Sequence, residues 1–324
     1  MINVAYVFDE NFADPAIVSI VSAIKNNKEQ SICFHLVTFR DNNEKLEIIN
    51  NEIIKQKQIF KNYIIDKSKI DWYSGTVMKS RNLSNVNAPF SNAAYLKLTL
   101  PEIISEDKII FIDSDTLVGK CLRDLFNINL QESFVGGVPD DGVRSYLQDE
   151  RDLFGYKHKD YLNTGVLLMD LKKLRAMSFF KECEIAHQKY NDRLKFGDQD
   201  LLNVVLVSKK LVLPQRFNTF AKFSESKNSV LQKIERLEDS ILHFIGDIKP
   251  WQSWNLPPFC QVWMQYANLV SNKKIELTPI TNLSQILKKA QLLHSYGDYQ
   301  TASSVKSQAI NILMKELNKS SKTS

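Results

Sequence analysis

The chain has 324 residues, 42 basic and 37 acidic side chains, a formal net charge of +5 and 44% hydrophobic content, the profile of an ordinary globular protein with a large core. The excess charge lies at one end: from Asn272 onward there are eight lysines against three acids, which leaves residues 1–271 neutral and gives a nucleic-acid role for the main domain little support. No run approaches the 18 apolar residues of a membrane span, the start MINVAYVFDEN lacks a signal peptide's basic region, and Cys33, Cys121, Cys183 and Cys260 have no metal-type spacing, all as expected of a cytosolic protein with reduced thiols.

Residues 2–8 (INVAYVF) read as a buried strand, and Asp14 followed by Pro15 as the cap and first position of a helix carrying Ile17, Ile20, Val21 and Ile24 on one face. A strand at 33–39, a helix over roughly 43–60 and a strand at 62–66 then give the strand–helix alternation of a doubly wound parallel sheet. No Gly-x-Gly-x-x-Gly follows the first strand, so the dinucleotide fingerprint is missing. Residues 67–90 read as an irregular loop, and Ser91 as the cap of a helix to Leu100 that Pro101 stops.

The stretch DKIIFIDSDTLVG (107–119) ends an apolar run on two aspartates. On a strand Asp113 and Asp115 share one face, and two like charges so close call for a cation, a shared proton or solvent. Strands at 133–138 and 161–171, helices near 178–191 and 199–207 and a short strand at 211–213 complete the alternation. SILHFIGDIKPW (240–251) is apolar and then broken by glycine and proline. After a linker-like stretch at 271–284, residues 292–313 resemble one tetratricopeptide helix hairpin, turning at Gly297 and packing through Ala302 and Ala309.

Five further stretches accompany the diacid in order: VFDENF, AAYLKL, YLNTGVLLMDLKK, FGDQDLLN and HFIGDIKPW. Over roughly residues 2–255 the sequence resembles glycosyltransferase family 8, retaining enzymes that include bacterial lipooligosaccharide galactosyl- and glucosyltransferases and the glycogenins. The resemblance implies an α/β, Rossmann-like nucleotide-sugar transferase fold (GT-A type) with a mostly parallel sheet in residues 1–271, followed by a basic helical tail at 272–324.

The resemblance also implies a UDP-hexose donor, a glycan acceptor, and Mn²⁺ (or Mg²⁺ in its place) held by Asp113, Asp115 and His243. Such an ion stabilises the charge of the departing diphosphate, and an imidazole among oxygen ligands favours Mn²⁺. The remaining donor contacts would come from Val7, Asp9, Asn11, Phe12, Lys97, Ser114, Asn163, Gly246 and Lys249. Here Phe12 stands where relatives often have tyrosine, and Lys97 where many have arginine. Gly246 permits close backbone approach, and Lys249 offers a point charge to the diphosphate.

Asp140, Asp198 and Gln199 match positions that line the donor hexose, with Asp141 a solvated neighbour. Gln199 occupies the place where a retaining glycosidase has its carboxylate nucleophile. Either Asp198 or Asp200 moves in, or the acceptor attacks from the leaving-group face. Two alternatives stay open at this point: a haloacid-dehalogenase-type phosphatase, which also ends a strand in Asp-x-Asp, and a non-catalytic carbohydrate-binding protein. The tail's charge suggests peripheral attachment to an anionic inner membrane face or packing within a homo-oligomer.

Overall fold

The computed structural model describes residues 1–40, 43–73, 92–144, 161–190, 193–222, 225–255, 258–271 and 273–320. Its frame is a seven-stranded sheet in the order β3-β2-β1-β4-β7-β6-β8, formed by β1 (Ile2–Val7), β2 (Ile32–Phe39), β3 (Ile59–Ile65), β4 (Lys108–Ile112), β6 (Val135–Pro139), β7 (Leu162–Asp170) and β8 (Lys210–Val212). All pairings are parallel except those of β7, which runs against both β4 and β6. The central strands are continuous apolar runs because both faces are covered: every residue of β2 is buried. At the edge, β3 is mostly uncovered and leaves Ile59 and Ile64 exposed on opposite faces.

Beyond the end of β4 the chain makes β5 (Thr116–Val118), which leaves the large sheet and pairs antiparallel with β10 (Ile241–Phe244), setting Thr116 opposite His243. Helix α1 (Ala13–Asn26) is buried along nearly its whole length. Its polar residues dock β5: the Val118 N–H donates to Ser22 Oγ at 2.9 Å, and Asn26 Nδ2 donates to the Val118 carbonyl at 2.7 Å. In this way α1 satisfies backbone groups of β5, and buried polar side chains do work that apolar periodicity hides.

Three local expectations are corrected. Helix α1 begins at Ala13 without a side-chain cap, so Asp14 and Pro15 lie inside its first turn, where proline's missing N–H costs nothing. The capping aspartate is Asp9, which accepts from the N–H groups of Asn11 and Phe12 and starts a short 3-10 turn leading into α1. Helix α2 (Asn43–Lys55) stops short of residue 60 because the chain reverses at Lys57, with φ of 57°, and β3 starts at Ile59. Pro101 sits in the first turn of a short helix, Leu100–Ile103, which continues a 3-10 segment Asn92–Thr99; Ser91 and most of the expected loop (74–90) lie outside the described residues.

Two compact units emerge: Met1–Thr219 with Leu237–His243, and Phe220–Arg236 with Phe244–Ser324. The chain changes unit three times: within β9 (Thr219–Ala221), between Arg236 and Leu237, and at the last residue of β10. In the second unit, helices Leu283–Ser295 and Tyr299–Ser320 form a hairpin. Asn282 and Gln285 make a reciprocal capping box, Gly297 turns the chain at φ of 82°, and Ala302 and Ala309 are buried. The linker-like stretch is tied down, since Thr278 donates to the Trp251 carbonyl at 2.7 Å and accepts from the Ser253 N–H at 2.9 Å.

Candidate active site

Asp113 is the first residue beyond β4, and its N–H extends the ladder by donating to the Gly165 carbonyl at 2.7 Å. The chain then turns: Thr116 Oγ1 donates to the Asp113 carbonyl at 2.9 Å, and Ser114 Oγ donates to the Val7 carbonyl at 3.3 Å. The two aspartates therefore meet across a turn rather than along a strand face, with Ser114 directed back to β1. Strand β10 brings His243 beside them. One ligand atom from each of Asp113, Asp115 and His243 lies within 4.8 Å of the others, and His243 Nε2 is 3.3 Å from Asp115 Oδ1.

Gly165 makes room for this ring. A β-carbon at residue 165 would lie 2.1 Å from His243 Cε1, so the glycine of YLNTG serves the imidazole, a role that its sequence context does not reveal. Burial pushes the Asp113 carboxyl above its ordinary range and Asp115 adds to that, while Lys97 and His243 oppose it. Two oxygen donors and one imidazole, converging where a carboxylate pair lacks full neutralisation, suit a divalent cation.

Lys97 links this cluster to the next. Its buried ammonium lies 2.9 Å from Asp198 Oδ2 and 3.3 Å from Asp113 Oδ1, and it stacks over the Phe111 ring. Burial alone would lower its pKa, but Asp113 and Asp198 outweigh that and hold it above the usual lysine value. Asp198 Oδ2 also accepts from Thr164 Oγ1 at 3.1 Å.

Asp198 and Gln199 open the helix Asp198–Val205, aimed by Gly197. Gln199 Oε1 accepts from the Thr164 N–H at 3.2 Å, and its amide nitrogen donates to Asp140 Oδ2 and to Tyr161 OH, each at 3.3 Å. Asn163 Nδ2 donates to the same Asp140 oxygen at 3.0 Å. Asp200 accepts from Tyr161 OH and from the N–H groups of Lys195 and Phe196. These bonds occupy both Asp200 oxygens and anchor the loop before the helix. Asp141 is exposed, as expected.

The structure thus brings Asp113, Asp115, His243, Lys97, Asp198, Gln199, Asp140 and Asn163 into one constellation, buried except at the half-buried Asp113. Val7 joins through its carbonyl only, its side chain being buried. Asp9 uses one carboxylate oxygen as a cap, Asn11 is exposed and Phe12 half-buried. Gly246 and Lys249 belong to the second unit. Gly246 has φ of 91°, so the backbone conformation itself favours glycine there. Lys249 folds back on its own loop, donating from Nζ to the Phe244 carbonyl at 2.6 Å. The sequence reading missed Tyr161, Thr164, Gly165 and Asn218; the first three lie within or beside quoted motifs, while Asn218 carries no sequence signal.

Comparison with known proteins points to one family. The family model described as glycosyl transferase family 8 matches residues 3–255. A lipopolysaccharide 1,3-galactosyltransferase of Salmonella typhimurium is 25% identical over 278 residues, covering 81% of this chain and 77% of the relative. A lipopolysaccharide glucosyltransferase of Escherichia coli K12 is 24% identical over 318 residues, covering 92% and 89%. The crystal structure of a galactosyltransferase in complex with donor and acceptor sugar analogues superposes with a TM-score of 0.70 at 21% identity, covering 84% of this chain and 97% of that one. The fold is therefore of the expected GT-A type.

Proposed function

The chain belongs to glycosyl transferase family 8, and from that premise we propose that it moves galactose or glucose from a UDP-sugar to a glycan acceptor, with retention, in the assembly of a lipopolysaccharide-type surface glycan. Membership decides against the phosphatase and the non-catalytic alternatives. The observation that carries the reading is Lys97: one buried cation ties the Asp113–Asp115–His243 cluster to the Asp198–Gln199–Asp140–Asn163 ledge.

Asp113, Asp115 and His243 would hold the divalent ion, which supplies charge stabilisation to the departing diphosphate when bound. The ledge would orient the hexose, because a hydroxyl-directed polar group left unpaired in a buried site costs about 1–3 kcal/mol. Asp198 Oδ2 is engaged by Lys97 and Thr164, and Gln199 Oε1 by Thr164, so neither is poised as a nucleophile. The acceptor hydroxyl oxygen then bonds to the anomeric carbon on the leaving-group face as the bond to the phosphate oxygen breaks. Its proton passes to that phosphate oxygen.

The tail adds a surface. On the helix Tyr299–Ser320, exposed Ile310, Leu313 and Met314 follow one another at helical spacing beyond Lys306, a combination suited to an anionic bilayer. Among the described residues no helix is long and apolar enough to cross a membrane.

The test is transfer from UDP-galactose and UDP-glucose with and without chelator. Activity abolished by EDTA, restored by Mn²⁺ and lost by orders of magnitude in Asp115→Asn supports the reading; full activity in excess EDTA refutes it.

A further inference from the structure

On the reading that Asp113, Asp115 and His243 hold the cation, we propose that Asn218 is a positioning residue that fixes the His243 ring as the Nδ1–H tautomer, with Nε2 turned to the carboxylates, and ties that ring to the hexose ledge. His243 Nδ1 lies 3.0 Å from Asn218 Oδ1. The other end of the same amide, Nδ2, donates to Asn163 Oδ1 at 2.8 Å. Asn218 is fully buried at the end of the 3-10 turn Gln215–Asn218, whose Gln215 side chain donates to the Asn218 carbonyl at 3.0 Å.

The direction of every bond in this chain follows from one backbone group. The Gly165 N–H can only donate, and it donates to Asn163 Oδ1 at 2.9 Å. That fixes which end of Asn163 is oxygen and sends its Nδ2 to Asp140 Oδ2 at 3.0 Å. Asn218 must therefore present its NH₂ to Asn163, which leaves its oxygen facing His243 Nδ1. A carbonyl oxygen can only accept, so Nδ1 carries the hydrogen. In the neutral ring the lone pair then sits on Nε2, 3.3 Å from Asp115 Oδ1; these are two acceptors face to face, an arrangement that a cation between them relieves. A partner of this kind fixes both the tautomer and the orientation of a metal-binding imidazole.

The same chain reaches further. Asp140 Oδ2 accepts from Gln199 as well as from Asn163. Ring orientation at the cation cluster and amide orientation on the ledge thus form one hydrogen-bonded set, and Asn218 is the residue that joins them. No pattern in the sequence around QRFNTF marks it.

The experiment has two readouts. The first is long-range ¹H–¹⁵N correlation NMR of the neutral rings in chain labelled at its five histidines, with excess diamagnetic Mg²⁺ so that the Asp115 carboxylate does not draw a hydrogen onto Nε2, and with His243→Gln assigning the His243 signals. Wild type gives a pyrrole-type Nδ1 and a pyridine-type Nε2, and Asn218→Ala shifts that balance towards the other tautomer. The second is Mn²⁺ binding followed by electron paramagnetic resonance. Asn218→Ala weakens binding about tenfold. Asn218→Asp, which still accepts from Nδ1–H but cannot donate to Asn163, keeps Mn²⁺ affinity within about threefold of wild type and raises KM for the UDP-sugar.

An Nε2–H ring in wild type overturns the proposal, and that measurement needs no variant to fold. So does an Asn218→Ala chain with unchanged tautomer and unchanged Mn²⁺ affinity. A wild-type chain that binds no Mn²⁺, yet shows an Nδ1–H ring that Asn218→Ala disturbs, sinks the cation reading and leaves the positioning role standing.

Discussion

Lys97 Nζ and Asp198 Oδ2 are 2.9 Å apart with both side chains almost wholly buried. Such a pair contributes little against an apolar replacement of both members, yet removing one leaves a charge uncompensated, at about 3–5 kcal/mol. Lys97→Met should therefore destabilise the fold by about that amount, and Lys97→Met with Asp198→Leu should recover part of the loss. Urea titration of the single and double variants reads this directly. A single variant as stable as wild type would show that the pair is not buried in solution.

Gly165 and His243 compete for the same space. In Gly165→Ala the new methyl group would fall 2.1 Å from the ring, so the imidazole must move. Overpacking of this kind costs about 1–3 kcal/mol. The expected result is a folded, less stable protein with Mn²⁺ binding and transfer both reduced at least tenfold, comparable to disturbing a ligand's support. Calorimetric Mn²⁺ titration alongside thermal unfolding separates the site from the fold, and unchanged metal binding would contradict the geometry.

Gln199→Ala tests the role of the amide. Because Gln199 Oε1 is held by Thr164 and its nitrogen by Asp140 and Tyr161, its loss should slow turnover by about 10²-fold, as for one positioned polar contact, without abolishing transfer. The anomeric proton coupling of the product should show an α linkage from an α-linked donor. A β-linked product would mean inversion by a single displacement and overturn the retaining reading, whereas an α-linked product with a rate indistinguishable from zero in Gln199→Ala would favour a covalent route.

His35, on β2, gives a pH signature away from the site. Its ring is fully buried, 3.0 Å from Tyr63 OH and near Glu106 and Lys61. Burial pushes its pKa down to about 4, against the opposing pull of Glu106. The folded ring stays neutral while the unfolded one protonates near 6.5. This stability is therefore present above pH 6.5 and is lost as pH falls towards 4, at up to about 1.4 kcal/mol per unit. In His35→Gln the slope between pH 6.5 and 5, above the range where Glu106 titrates, should be shallower. Equal slopes in chemical denaturation would show that the ring is accessible to protons in the folded state.

The tail surface can be tested without removing it. Lys306→Glu and Ile310→Asn should lower cosedimentation with phosphatidylserine vesicles, each by severalfold at low salt, and leave transfer to a soluble acceptor unchanged. Binding that persists in both, or that ignores salt, would turn the proposal away from the bilayer.

The strands of the large sheet were legible because buried strands must be continuous apolar runs, and the diacid because it closes one of them. Proline positions mislead: Pro15 and Pro101 look like helix boundaries in the sequence, but the first turn of a helix tolerates proline anywhere its N–H would lack an acceptor. Lys97 could be picked out by position, yet its double pairing depends on Asp113 and Asp198, which only the folded chain brings together. Asn218 was illegible for a deeper reason. Its work is a matter of hydrogen-bond direction, set by a backbone N–H more than fifty residues away in sequence, and neither periodicity nor composition encodes direction.

The bonds that Thr278 makes to Trp251 and Ser253, with the ion pair between Lys288 and Asp247, bear on how this polypeptide can be dissected. The family match ends at residue 255, a natural place to end a recombinant fragment or to join a chimaera. Such a cut would strip the loop Asp247–Ser253 of its partners on the far side of the junction, and Lys249 lies in that loop. Tails exchanged between relatives would have to be exchanged together with the loop they hold, as one inherited piece.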